Sequence, residues 1–212
     1  MARLPRLAVP GWVHHVIQPA LGTRPVFADD RDRVDYLAAL HEAAAVHQLA
    51  LHAYALQASG VQLLATPPDT RALGLVIQAV GRRYVSAYNR RHGGAGTLWA
   101  GRFRCSAIEP GPFVLAALLL VDGDSGVTSA ELRTGARRDP RIVDPPAYWE
   151  LGNTPFEREA RYRALLAQGL GEAESRRLRD AAWGGWAVAP PEALPSAGRP
   201  LRPRPRGRPA QR

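Results

Sequence analysis

Along the first 110 residues the spacing of hydrophobic and polar positions changes repeatedly, and each change marks an element. Trp12–Gln18 is rich in β-branched and aromatic residues and predicts a short strand. From about Arg31 to Gln48, apolar-face positions Val34, Leu37, His41 and Ala44 recur three and four apart, predicting a helix capped by Asp29-Asp30. Leu51–Leu56 and Val61–Thr66 predict two strands joined as a hairpin through Ala58-Ser59-Gly60. A second helix follows, with Leu73, Ile77, Val80, Tyr84 and Tyr88 on one face and Arg83, Ala87, Arg90 and Arg91 on another. It stops near His92-Gly93-Gly94, where glycine accepts the left-handed cap. Arg102–Ile108 predicts a fourth strand, and Phe113–Val121 a short buried helix or strand.

This β-α-β-β-α-β order predicts an α+β fold, a ferredoxin-like antiparallel sheet with its helices on one face. Farther along, Thr154-Pro155-Phe156-Glu157 reads as a helix start, with threonine as cap, proline at the first position and glutamate closing the box. That helix runs to about Gly169, and another spans roughly Glu172 to Trp183. After Trp186 the chain is rich in proline and arginine with little to bury. The expected organisation is a domain over 9–125, a helical C-terminal extension over 126–186 and a disordered basic tail over 187–212.

Charge sharpens the picture. Among 212 residues there are 28 basic and 19 acidic side chains, a formal +9, and every basic one is arginine. Arg82 to Arg104 holds six arginines and no acid; residues 189–212 hold six arginines against Glu192. Those segments carry +6 and +5, which leaves −2 for all the rest. Such concentration favours a polyanionic partner, and the planar guanidinium binds phosphate bidentately. The bland reading of a charge run is a solubilising face. A single cysteine, Cys105, excludes a disulfide framework and a cysteine-built zinc site. No apolar run is long enough to cross a bilayer, and Met1–Pro10 does not read as a signal peptide, so no membrane partner and a cytoplasmic location are expected.

Two motif-like stretches carry no chemistry. Gly123-Asp124-Ser125-Gly126 looks like a serine-protease nucleophile segment, but its composition is that of a turn, and the helices and lone cysteine are foreign to that all-β context. Its spacing to Glu131 also fails the calcium-loop pattern. His14 and His15 point to opposite faces of a strand, and no histidine pair has the short same-face spacing of a metal site.

The basic segment is more specific. Gly81-Arg-Arg-Tyr84, Tyr88-Asn-Arg-Arg-His92 and Trp99-Ala-Gly-Arg-Phe-Arg104 interleave arginines with aromatic residues and an amide. Arg82, Arg83, Arg90, Arg91, Arg102 and Arg104 are expected to hold DNA phosphates, and Asn89 to read a base edge. The helical spacing of Tyr84 and Tyr88 assigns them to the core. In the tail, Pro205-Arg206-Gly207-Arg208-Pro209 matches the core of an AT-hook, so Arg206 and Arg208 are expected in the minor groove of an A·T-rich duplex.

Taken in order, several segments make the chain resemble the REP-associated tyrosine transposases, within the HUH single-tyrosine transposase superfamily. They are Met1–Leu7, Val9–Gln18, His52–Leu56, Gln78–Tyr84, Asn89–Arg91, Gly96–Arg104, Leu151–Glu157, Tyr162–Leu165 and Gly184–Trp186. The resemblance covers most of residues 1–186. It implies a ferredoxin-like domain that recognises hairpin-forming single-stranded DNA. In active members two histidines flanking a hydrophobic residue bind a divalent metal, and a tyrosine on a later helix attacks the scissile phosphate. Here Ala58-Ser59-Gly60-Val61-Gln62 stands where the family reads Pro-Asn-His-hydrophobic-His, and Leu120 fills the expected tyrosine position. The stretch from there to Asp139 is also shorter than usual.

With Gly60, Gln62 and Leu120 at the family's catalytic positions, the resemblance implies a catalytically degenerate transposase relative that binds DNA, uses no catalytic residue there and needs no cofactor. One alternative is an active enzyme with displaced groups: Tyr84 or Tyr88 as nucleophile, and His14, His15 or His52 holding magnesium or manganese. Another is a decaying gene product with no selected ligand.

Overall fold

The structure, a computed structural model, describes residues 6–190 and 200–202. Strand β1 (Val13–Pro19) leads to helix α1 (Asp30–Val46), which begins where Asp29 accepts the Asp32 N–H and Asp32 accepts the Asp29 N–H. Strands β2 (Ala50–Gln57) and β3 (Gly60–Thr66) form the hairpin expected from the sequence. Helix α2 (Ala72–His92) ends where Gly93 adopts φ 63°. Strand β4 (Arg104–Ile108) and helix α3 (Pro112–Asp122) follow, so the ambiguous apolar segment resolves as helix.

The remaining elements are short strand β5 (Val127–Thr128), helices α4 (Ala130–Arg133), α5 (Pro146–Trp149), α6 (Pro155–Gln168) and α7 (Glu172–Gly184), and strand β6 (Ala187–Val188). Helix α6 starts on the capping box of Thr154 and Glu157 with Pro155 at the first turn, as its sequence predicts.

These strands make one mixed sheet in the order β5-β2-β3-β1-β4-β6. All pairings are antiparallel except β4 with β6, which run parallel. Four expectations are corrected. Helices cover both faces of the sheet rather than one. Val16, Leu56 and Leu63 pack with Tyr36, Leu40 and Tyr84 of α1 and α2, whereas Val13, Ala55 and Leu64 pack with Leu118, Tyr162 and Leu178 of α3, α6 and α7. Central strands that are apolar on both sides require two helical layers.

Residues 126–186 are likewise not purely a helical appendage, since β5 joins the sheet and α7 lies against it. Residues 187 and 188, expected in a disordered tail, are ordered instead: Ala187–Val188 form β6, and the Ala187 N–H donates to the Leu201 carbonyl at 2.9 Å. In α1, Val34 is exposed, because Tyr36, Leu40 and Ala44 supply the face that packs. His41 is buried as expected of a core residue, yet neither ring nitrogen has a hydrogen-bond partner.

One buried polar network ties the C-terminal helices to α3. Arg133, fully buried, lies 3.0 Å from Asp122 and 2.9 Å from Asp144, and also donates to the His52 carbonyl. Ser129 and Tyr162 hydroxyls donate to the same Asp122 carboxylate at 2.5 and 2.7 Å. With Arg133 and two hydroxyls as donors, Asp122 is a satisfied buried carboxylate.

Candidate nucleic-acid interface

Helix α2 presents Gly74, Gln78, Arg82 and Ser86, four residues apart each time, along one stripe. Opposite runs the segment 96–103. Three backbone contacts place it: Leu21 N–H to the Leu98 carbonyl at 2.8 Å, Ala100 N–H to the Pro19 carbonyl at 3.0 Å, and a bridge between Ala20 and Trp99. Between helix and segment lies an open groove of about 760 Å³ with Arg6, Arg82 and Arg102 in its walls and Gln18 and Gln78 beside them. No carboxylate lines it among the described residues.

The predicted site residues separate into groups. Arg82 and Arg102 are exposed in the groove and make no ion pair among the described residues. Arg90 is exposed and also without an ion pair, but it lies outside the groove lining. Arg83 faces α1 and pairs with Glu42. Arg91 pairs with Asp29 and lies 3.4 Å from Asp32. Arg104 donates to the Trp183 carbonyl at 2.9 Å, with its guanidinium 5.3 Å from the Trp183 ring centroid.

Asn89 lines the groove, but its amide is engaged within the protein. Its carbonyl accepts from Arg24 at 3.1 Å and its amino group donates to the Gly96 carbonyl at 2.8 Å. It therefore positions the 96–103 wall rather than presenting a free amide. Arg206 and Arg208 lie outside the described residues. Sequence reasoning missed Arg6, Gln18 and Gln78. The i,i+4 stripe of α2 contained the signal for Gln78, whereas Arg6, stacked 3.9 Å from the Phe103 ring centroid, comes from a remote part of the chain.

Gly60 and Gln62, two of the three positions at which the sequence resemblance expects catalytic groups, lie elsewhere, beside the β2–β3 turn. Gly60 has φ 150°, and a Cβ there would stand 2.6 Å from the Gln18 carbonyl oxygen. No ligating side chain fits at this position without moving β1. Gln62 is held from both sides: its amino group donates to Asp124, so its carbonyl faces His15 Nε2 at 2.8 Å. His15 Nε2 therefore carries the proton and donates. Burial holds the His15 pKa down to about 4, against the pull of the Gln62 bond, and the Arg179 charge lowers it further. With His15 Nε2 and both ends of the Gln62 amide engaged within the protein, and the free His15 Nδ1 buried on the other edge of the ring, this set offers no converging pair of free donor atoms to a divalent cation. Leu120 is buried within α3.

The displaced-residue alternative finds no geometry. Burial raises the Tyr84 pKa, and its hydroxyl donates to the Val26 carbonyl; the Tyr88 hydroxyl donates to the Pro25 carbonyl at 2.9 Å. His14 accepts the Val9 N–H, and His52 is bonded to Val143 and Thr66, so neither joins His15 in one site. One carboxylate-imidazole cluster, Asp29, Asp32 and His92, does come together. Both carboxylates there already cap α1 and bind Arg91, which accounts for the cluster as a clamp between α1 and α2.

No protein-family model and no curated protein matches this chain. In fold it is similar to a solved structure of a REP-associated tyrosine transposase bound to a REP hairpin, with a TM-score of 0.54 and 10% sequence identity. The match covers 69% of this chain and 93% of that one. No helix among the described residues is long and apolar enough to cross a membrane. At this identity the likeness is one of fold, and what the groove of this chain can bind follows from its own side chains.

Proposed function

We propose that the protein binds hairpin-forming single-stranded DNA along the groove beside α2, and that it lacks the metal-and-tyrosine strand cleavage of the transposases it resembles. The observation that carries this reading is the groove itself: Arg82 and Arg102 exposed there without an ion pair among the described residues, the Gln78 amide beside them, and no carboxylate among the described lining residues to repel a phosphate. Further support comes from the order β2-β3-β1-β4 of the four long strands, which suits a ferredoxin-like core, and from the hairpin bound by the structural neighbour. Absence of cleavage rests on Gly60, Gln62 and Leu120, since none offers a ligand or nucleophile at its position. The tail, through Arg206 and Arg208, adds contacts to an A·T-rich duplex.

The test is a gel with full-length protein, labelled hairpin strands from its own genomic neighbourhood, and magnesium or manganese. The expected result is a native shift that leaves no covalent adduct after denaturation. An adduct would overturn the reading of the catalytic positions. A shift no stronger than that given by a scrambled arginine-rich peptide would overturn the binding function.

A further inference from the structure

Gln18 lines a second hollow as well as the groove. This pocket, about 310 Å³, is bounded by Gln57, Ser59, Gly60, Gln62, Arg179 and Trp183. Its volume lies at the small end of ligand pockets, which span roughly 300–1,000 Å³. One wall is the β2–β3 turn; the other is α7, where Arg179 and Trp183 stand four residues apart and therefore on the same face. Arg179 is exposed and makes no ion pair among the described residues. Trp183 is 45% exposed, an uncommon state for so large an apolar ring. Its orientation is nevertheless fixed, because Arg104 stacks over the ring and bonds the Trp183 carbonyl.

We infer that this pocket holds one unpaired deoxynucleotide, with its phosphate on Arg179 and its base stacked on Trp183, and that it does so without a divalent cation. The chemistry follows from what occupies each position. An exposed indole beside a guanidinium is the combination that binds single strands irrespective of sequence. The cation here is the side chain of α7 itself, placed near the Gln62 amide and His15 imidazole, which are bonded to each other. Asp124, bonded to Gln62, is outside the pocket lining, which holds no carboxylate among the described residues. The inference rests on the nucleic-acid reading above in one respect: Gln18 borders both hollows, so the groove and the pocket meet at the same end of β1.

The experiment titrates tetrathymidylate into the full-length protein in EDTA and follows tryptophan fluorescence, alongside gel shifts with a blunt hairpin and with the same hairpin bearing an unpaired extension. Saturable quenching is expected, with its amplitude lost in Trp183→Phe and its midpoint raised about fivefold or more in Arg179→Gln. The extended hairpin should bind more tightly than the blunt one in the parent protein, and equally in R179Q. Quenching that persists in W183F, a midpoint unmoved in R179Q, or quenching that appears only with magnesium would overturn the inference. Tetrathymidylate quenching with no shift of either hairpin would instead remove the groove reading and leave the pocket standing.

Discussion

Arg82 and Arg133 are the same residue in opposite circumstances. Arg82 stands exposed in the groove beside α2 with no ion pair among the described residues, whereas Arg133 is fully buried between Asp122 and Asp144. Taking a guanidinium out of water costs several kcal/mol, and the interior recovers this only through close carboxylates and a backbone carbonyl. Every donor committed in that way is lost to a ligand. The exposed arginine keeps its hydration and its counterions, and it can exchange both for a phosphate. Polar chemistry in this molecule is thus divided by region: beneath α4 and α6 it holds the fold together, and along the groove it is left open.

The division is broken most severely at Arg133. Replacing it with methionine leaves Asp122 buried without its cation and should cost about 3–5 kcal/mol of stability. Thermal denaturation reads this as a large fall in Tm. At low temperature, hairpin affinity of the folded fraction should stay at the parent value, and a parallel loss of affinity would show that the two regions are not separable.

Next in size is a pH effect confined to the interior. Burial lowers the pKa of His14 and of His15 from 6.5 to about 4, so both are neutral in the folded protein. On acidification the unfolded chain takes up protons below 6.5 while the folded one does not. Stability present above that pH is therefore lost as the pH falls toward 4, at most about 3 kcal/mol for each histidine. Urea unfolding at pH 7, 5.5 and 4.5 should show the midpoint falling, with a shallower dependence in His15→Gln. The groove has no histidine or carboxylate in its lining among the described residues, so hairpin affinity should be flat between pH 5.5 and 8.

In the groove the pattern reverses. Arg82→Ala with Arg102→Ala should lower hairpin affinity about tenfold or more near 0.15 M salt, and reduce the logarithmic salt slope by about 1.4 for two single-strand phosphates. Tm should move by no more than surface substitutions do, within about 0.5 kcal/mol. An unchanged salt slope would place the phosphates elsewhere.

Much of the frame was legible because its signals are local. The core face of α2 repeats Leu73, Ile77, Val80, Tyr84 and Tyr88 at helical spacing, and all five are buried. The Thr154–Glu157 box occupies four consecutive residues. What could not be read depends on distant partners. Arg83 meets Glu42 and Arg91 meets Asp29 across 41 and 62 positions of sequence, so six arginines that look alike in the chain differ in the fold. Asn89 looked free until Arg24 and Gly96 closed on it. Strands β5 and β6, two residues each, are too short to carry an alternation. The exclusion of a side chain at Gly60 comes from the Gln18 carbonyl of the neighbouring strand, which only the register brings there.

The smallest effect gives the finest test. Glu42→Gln removes the acid that pairs with Arg83, raises the net charge by one unit and frees a guanidinium on the α1 side of α2. If affinity followed total charge, this variant would bind the hairpin more tightly, by an amount comparable to what one groove arginine contributes. Position predicts otherwise. Arg83 does not line the groove, and at 0.15 M salt the Debye length is about 8 Å, so a charge gained away from the strand is largely screened. Affinity should therefore change less than about twofold, while the Glu42–Arg83 pair, exposed at both ends, takes little stability with it. A larger gain in E42Q would mean that the strand runs over both flanks of α2, and that unpaired arginines alone do not mark the binding surface.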